Sequence, residues 1–200
     1  MHGLVNRAIE RFVRDTYGRD VWIGTVQRLD LGFTEFEAMM TYEPRITEQV
    51  LTAVGTRLAR GRDDLLEDIG TYLISHPATE ALRRLLRFGG VDYVDFLHSL
   101  DDLPERARLA VADLELPGLE LHDRGGGLYH LHVGLPKWHD LRLGPVVVGI
   151  LRAMADDYGA LALVEHQGNG AEHEIIAVRL LEEGFAHGRA FALGLGGSAA

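Results

Sequence analysis

Leu116-Pro117-Gly118-Leu119-Glu120-Leu121, then Asp123-Arg124-Gly125-Gly126-Gly127, then Leu128-Tyr129-His130-Leu131-His132-Val133: along this stretch the chain changes its period. Apolar and polar residues alternate on both sides of the glycine run, which is the pattern of half-buried strands, and the run itself reads as a hairpin loop looser than a two-residue turn. Before it, apolar residues recur at three and four. Leu4, Val5, Ala8, Ile9, Phe12, Val13 and Tyr17 form one helical stripe, closed by Gly18. Residues 22–29, 36–42, 47–59, 63–74 and 80–88 read as further helices, with Pro44 breaking the chain after the third of these six. Residues 91–111 continue the helical pattern and are interrupted at Pro104. After the hairpin, residues 145–158 read as a helix opened by Pro145. Residues 161–166 and 175–181 read as two more strands, joined by a polar loop around Gln167-Gly168-Asn169-Gly170. The order of helices, hairpin, helix, hairpin predicts an α+β fold with an antiparallel sheet and disfavours a parallel doubly wound sheet.

The length of 200 residues suits one domain. We expect it to span residues 1–183, with a helical N-terminal part over 1–62, a helix-and-antiparallel-sheet part over 63–183, and a glycine-rich tail over 184–200 that frays. Phe12, Trp22, Phe96, Val147 and Ile150 sit on the apolar stripes and are the expected core. The formal net charge of -10 argues against nucleic-acid binding, which relies on clustered Lys and Arg. There is no cysteine, hence no disulfide and no thiolate chemistry, which fits a cytoplasmic protein. The first residues run directly into an amphipathic pattern, so no signal peptide is expected, and no apolar run is long enough to span a membrane.

No catalytic constellation emerges. Of the ten histidines, His130 and His132 fall on one strand face and His122 can lie across the hairpin from them. Three imidazoles can hold zinc or iron, but a solvated antiparallel face is the commoner explanation. The pairs Asp63-Asp64, Asp101-Asp102 and Asp156-Asp157 read as helix caps or surface charges. The glycine stretches lack the spacing of a nucleotide loop, and there is no GxSxG elbow.

The opening Met1-His2-Gly3-Leu4-Val5-Asn6-Arg7 and Tyr17-Gly18-Arg19-Asp20-Val21-Trp22 closely resemble the start of H-NOX (heme nitric-oxide/oxygen-binding) domains. The likeness continues, in order, through Leu65-Leu66-Glu67-Asp68-Ile69-Gly70-Thr71-Tyr72-Leu73, Leu85-Leu86-Arg87-Phe88-Gly89-Gly90, Phe96-Leu97-His98-Ser99-Leu100-Asp101-Asp102-Leu103, Pro117 and Gly144-Pro145-Val146-Val147-Val148-Gly149-Ile150-Leu151. It covers roughly residues 1–181. In that family L-D-x-L-H carries the proximal histidine that binds heme iron; here the stretch is Leu100-Asp101-Asp102-Leu103-Pro104. The family also places a proline thirteen residues after that histidine, which sets Pro117 against Pro104. Proline cannot ligate iron, and His98, six residues earlier, is about 600° around an ideal helix. Pro104 predicts a kink or a fresh helix start, with Asp101 or Asp102 as its cap.

The family's second signature, Y-x-S-x-R, grips the heme propionates. One register sets it on Val133, Leu135 and Lys137, and another on Trp138, Asp140 and Arg142; neither restores the set. The resemblance therefore implies a non-enzymatic, cytoplasmic sensor or signalling domain, of a family that binds heme but here without conventional histidine-ligated heme. The alternatives are a gas sensor using another iron ligand, a heme-free interaction module, and a pocket for an apolar or tetrapyrrole-like ligand. By resemblance, the partner is an effector such as a diguanylate cyclase or a histidine kinase, with neither nucleic acid nor membrane involved.

Overall fold

The computed structural model describes residues 1–135, 141–170 and 172–190. Helices α1 (Gly3–Tyr17), α2 (Arg19–Leu29), α3 (Pro44–Leu58) and α4 (Arg62–Ser75) open the chain. A single 3-10 turn, Pro77–Thr79, leads into α5 (Glu80–Arg87), α6 (Tyr93–His98) and α7 (Leu103–Ala110). The hairpin β1 (Leu119–Asp123) and β2 (Leu128–Gly134) follows, then α8 (Gly144–Tyr158) and a second hairpin, β3 (Leu161–Asn169) with β4 (His173–Glu182). The four strands form one antiparallel sheet in the order β1-β2-β4-β3.

Two apolar cores result. Ile9, Phe12, Val13, Trp22, Val26, Phe36, Val50, Val54, Leu65 and Ile69 make the first, and Leu141 reaches into it from the segment ahead of α8. The second joins Ile74, Phe96, Leu97 and Leu100 to Leu131, Val133, Leu151, Met154, Ile176 and Val178. Phe12, Trp22 and Phe96 are buried as expected, whereas Val147 and Ile150 are only half-buried at the cores' margins. α4 and α8 bridge the cores by crossing at backbone contact. A Cβ on Gly70 would lie 2.1 Å from the Val146 carbonyl oxygen, and one on Gly149 would lie 2.1 Å from that of Glu67. Only glycine permits this approach.

Three expectations are corrected. Residues 36–42 are not helical: the Phe36 amide donates to the buried Glu10 carboxylate (2.9 Å), and the Met1 amino group donates to the Tyr42 carbonyl (2.6 Å). The Gly3 amide donates to the Met40 carbonyl (2.7 Å), so this segment meets many of its backbone needs through α1 and the N-terminus rather than through a helical ladder. The first strand begins at Leu119, not 116, and β3 extends through the expected loop to Asn169. Residues 184–190, expected to fray, are hydrogen-bonded to the end of α8, with Ala186 N–H on the Gly159 carbonyl (3.0 Å) and Arg189 N–H on that of Asp157 (2.9 Å).

Candidate functional site

Pro104 is buried in the first turn of α7, where its missing N–H costs no helical hydrogen bond. The helix starts afresh there, as the proline implies. The expected cap is absent: Asp102 makes no side-chain cap bond, and Asp101 instead accepts the Leu121 amide (2.7 Å), tying the turn between α6 and α7 to β1. A pyrrolidine ring at this position offers no donor to a metal. His98 is exposed at the end of α6, its ring edge-on to Tyr129 with centroids 6.1 Å apart.

Pro117 is half-buried just before β1, where the Gly118 carbonyl accepts the Gly134 amide (2.8 Å). Val133 is fully buried on the core face of β2, opposite Leu119 and Glu174. Leu135 is half-buried, its amide donating to the Glu172 carbonyl (3.2 Å). Lys137, Trp138 and Asp140 lie outside the described residues. Arg142 is half-buried, and its Nη1 is shielded from solvent without a hydrogen-bond partner among the described residues. Its neighbours are Leu141, buried in the first core, and Leu143, which leads into α8. A shielded guanidinium nitrogen without an acceptor is costly.

The start of α8 is held from the sheet. Glu174, 1% exposed, accepts the Gly144 amide at Oε2 (3.0 Å), and its Oε1 lies 3.0 Å from His166 Nε2. Beside this pair, an open groove of about 630 Å³ is lined by Asp63, Glu67, Arg152, Glu165 and His166. Arg152 bonds Glu67 and the Val164 carbonyl, so the groove's cation is already engaged.

The histidines gather differently from the sequence reading. His122 pairs with His130 in register, but the ring contacts run from His122 to His132 (4.3 Å) and on to His173 (4.4 Å, planes 9° apart). His173 was missed because its proximity depends on the β2-β4 register. Burial first, then the neighbouring rings of His122 and His173, lower the pKa of His132 below its ordinary value. The stack is half-buried rather than solvated. Among the described residues no group of three or more His, Cys, Asp or Glu side chains has metal-holding geometry.

Asp157, expected at the surface, is 1% exposed and bonded by Arg83 Nε (2.6 Å). Burial works against the charge on Arg83, but Asp157 and Glu80 outweigh it, and the arginine's pKa stands above its ordinary value. No sequence signal marked this pair, since its partners are far apart in the chain.

The fold and the match to known proteins agree. A family model described as haem-NO-binding matches residues 2–166. The chain belongs to that family. Among solved structures, an H-NOX protein from S. oneidensis in the Fe(II) ligation state superposes with a TM-score of 0.77 at 18% identity, over 92% of this chain and 97% of that one. An oxygen-binding H-NOX domain related to soluble guanylate cyclases gives 0.71 at 13% identity, over 95% and 100%. Both show the α+β H-NOX architecture. Soluble guanylate cyclase 89Da of Drosophila melanogaster is 19% identical over 121 residues, 60% of this chain; the chain spans 18% of that protein's length. As a member of this family the chain is a sensor module in signalling rather than a catalyst. No helix among the described residues is long and apolar enough to cross a membrane.

Proposed function

We propose that this H-NOX domain senses its ligand without histidine-ligated heme. The observation that carries the reading is Pro104, set against the family's ligand histidine by the sequence register and buried at the head of α7, with His98 turned to solvent. Val133 supports it, since an aliphatic side chain packed into the core replaces a propionate-binding hydroxyl in the first register. The residues described therefore do not fit conventional heme, and no step of sensing is assigned to iron. Arg142 favours the second register and suits a ligand that is largely apolar and carries a carboxylate, a tetrapyrrole without iron ligation included.

On this reading residues 1–183 work as one cytoplasmic unit, and the output is a separate signalling effector. The family resemblance suggests a diguanylate cyclase or histidine kinase, and the fly relatives suggest a nucleotide cyclase. The test is an absorption spectrum of the purified protein before and after hemin, followed by gel filtration. We expect a colourless protein whose added hemin is not retained stoichiometrically. A stoichiometric Soret band carried through the column would overturn the reading in favour of a gas sensor with another axial ligand. Absence of binding to hemin, to metal-free porphyrin and to carboxylated apolar ligands alike would favour a heme-free interaction module.

A further inference from the structure

The last described residues are not merely close to α8; they are clipped to its end. Ala186 and Arg189 donate backbone N–H groups to the carbonyls of Gly159 and Asp157, and Arg83 Nη2 reaches the Ala190 carbonyl at 3.3 Å. The fit is backbone to backbone. A Cβ on Gly188 would lie 2.5 Å from the Asp157 carbonyl oxygen, and one on Gly159 would lie 2.1 Å from that of Ala186. Around this zipper stands an ionic hub. The Asp157 carboxylate takes Arg83 at 2.6 Å, with Arg87 Nη1 at 3.7 Å and Arg189 Nε at 3.8 Å, while Glu80 faces Arg83 at 2.8 Å and Arg189 at 3.9 Å. Residues 184–190 are otherwise exposed, so these contacts are what holds them.

The opposite end of the same helix is the Glu174–Gly144 junction beside Arg142. Between the two ends α8 runs fifteen residues and crosses α4 with no side chain at Gly70 or Gly149 to cushion it. Packed helices of this kind shift as units rather than flexing, because interiors are dense and backbone contacts are stiff. We infer that residues 184–190 form a releasable strap, and that α8 couples the strap's attachment at Asp157 to the seating of Gly144 by Glu174. A disturbance at one end of α8 then loosens the chain's exit at the other. The device works whatever ligand the domain takes.

Hydrogen exchange of the full chain tests both halves. Arg189→Ala removes the strap's own charge and leaves the buried Arg83–Asp157 pair intact; Asp157→Asn removes the hub. Arg189→Ala should raise exchange at the amides of Ala186 and Arg189 by about two- to fivefold, the scale of losing a half-exposed ion pair, and Asp157→Asn by about tenfold or more, the scale of losing a hydrogen bond to a charged group, while β2 and β4 keep their protection. Glu174→Gln, and the milder His166→Ala, should raise strap exchange as well, from the far end of the helix. Strap protection unchanged in Arg189→Ala would overturn the clip. Strap protection unchanged in both Glu174→Gln and His166→Ala, with added exchange confined to β4 and the first turn of α8, would overturn the coupling.

Discussion

Pro104, at the head of α7, and Arg142, ahead of α8, bear in opposite ways on ligand binding. On the proposed reading, one offers iron no donor, while the other holds a shielded Nη1 for which the described residues supply no acceptor. Pro104→His returns an imidazole and a backbone N–H to the helix, yet coordination alone leaves the rest of the grip missing. We expect at most weak hemin binding by this variant, and Pro104→His with Arg142→Ala should bind more weakly still, as an optical titration would show. Equal affinity for the two would remove Arg142 from any role with an anionic ligand. Rebuilding the first register instead, with Val133→Tyr, places a phenol in a fully buried valine's space; overpacking of that kind costs about 1–3 kcal/mol. That substitution should lower the thermal midpoint and fail to strengthen hemin binding.

At the scale of elements, stability concentrates where helices and sheet lock together. Phe96, fully buried in α6, should cost about 3–5 kcal/mol as Phe96→Ala. Gly149→Ala should cost about 1–3 kcal/mol or more, because the added methyl meets the Glu67 carbonyl. Leu109→Ala on α7, 89% exposed, should stay within about 0.5 kcal/mol. Chemical denaturation of the three checks the ranking, and a Phe96→Ala protein as stable as Leu109→Ala would mean that α6 is not part of the core. These elements were legible because strong periodicity survives folding: α1, α4 and α8 follow their stripes almost to the residue. Residues 36–42 were misread because apolar spacing there serves an aromatic cluster, with Phe36 against Trp22, Phe33 and Tyr42. The fresh helix start at Pro104 could be read from the chain, since proline's missing N–H defines it locally. Asp157–Arg83 and His132–His173 could not, because each joins segments whose meeting is fixed only by helix packing or strand register.

At the scale of the whole molecule, groups shifted by burial make stability depend on pH on both sides of neutrality. Burial holds the tyrosine hydroxyls of Tyr72, Tyr93 and Tyr158 above their ordinary value of 10, that of Tyr158 to about 12. A raised tyrosine pKa means the folded state keeps its proton longer than the unfolded chain, so this contribution is complete below pH 10 and is lost as pH climbs above it. His132 acts on the other side. Its pKa is lowered in the folded state, so the unfolded chain binds the proton more readily. Its contribution is therefore complete above the ordinary value of 6.5 and is lost as pH falls below it, with a slope of up to about 1.4 kcal/mol per pH unit for one proton. Glu120 opposes the shift and Arg124 adds to it, so the stack as a whole sets the midpoint. Thermal midpoints measured from pH 7.5 to 5.5 should fall through this window in the wild type, and His132→Gln should flatten the fall by removing the central ring. An acid slope identical in the variant would place its origin elsewhere than in the stack, because only His132 touches both His122 and His173.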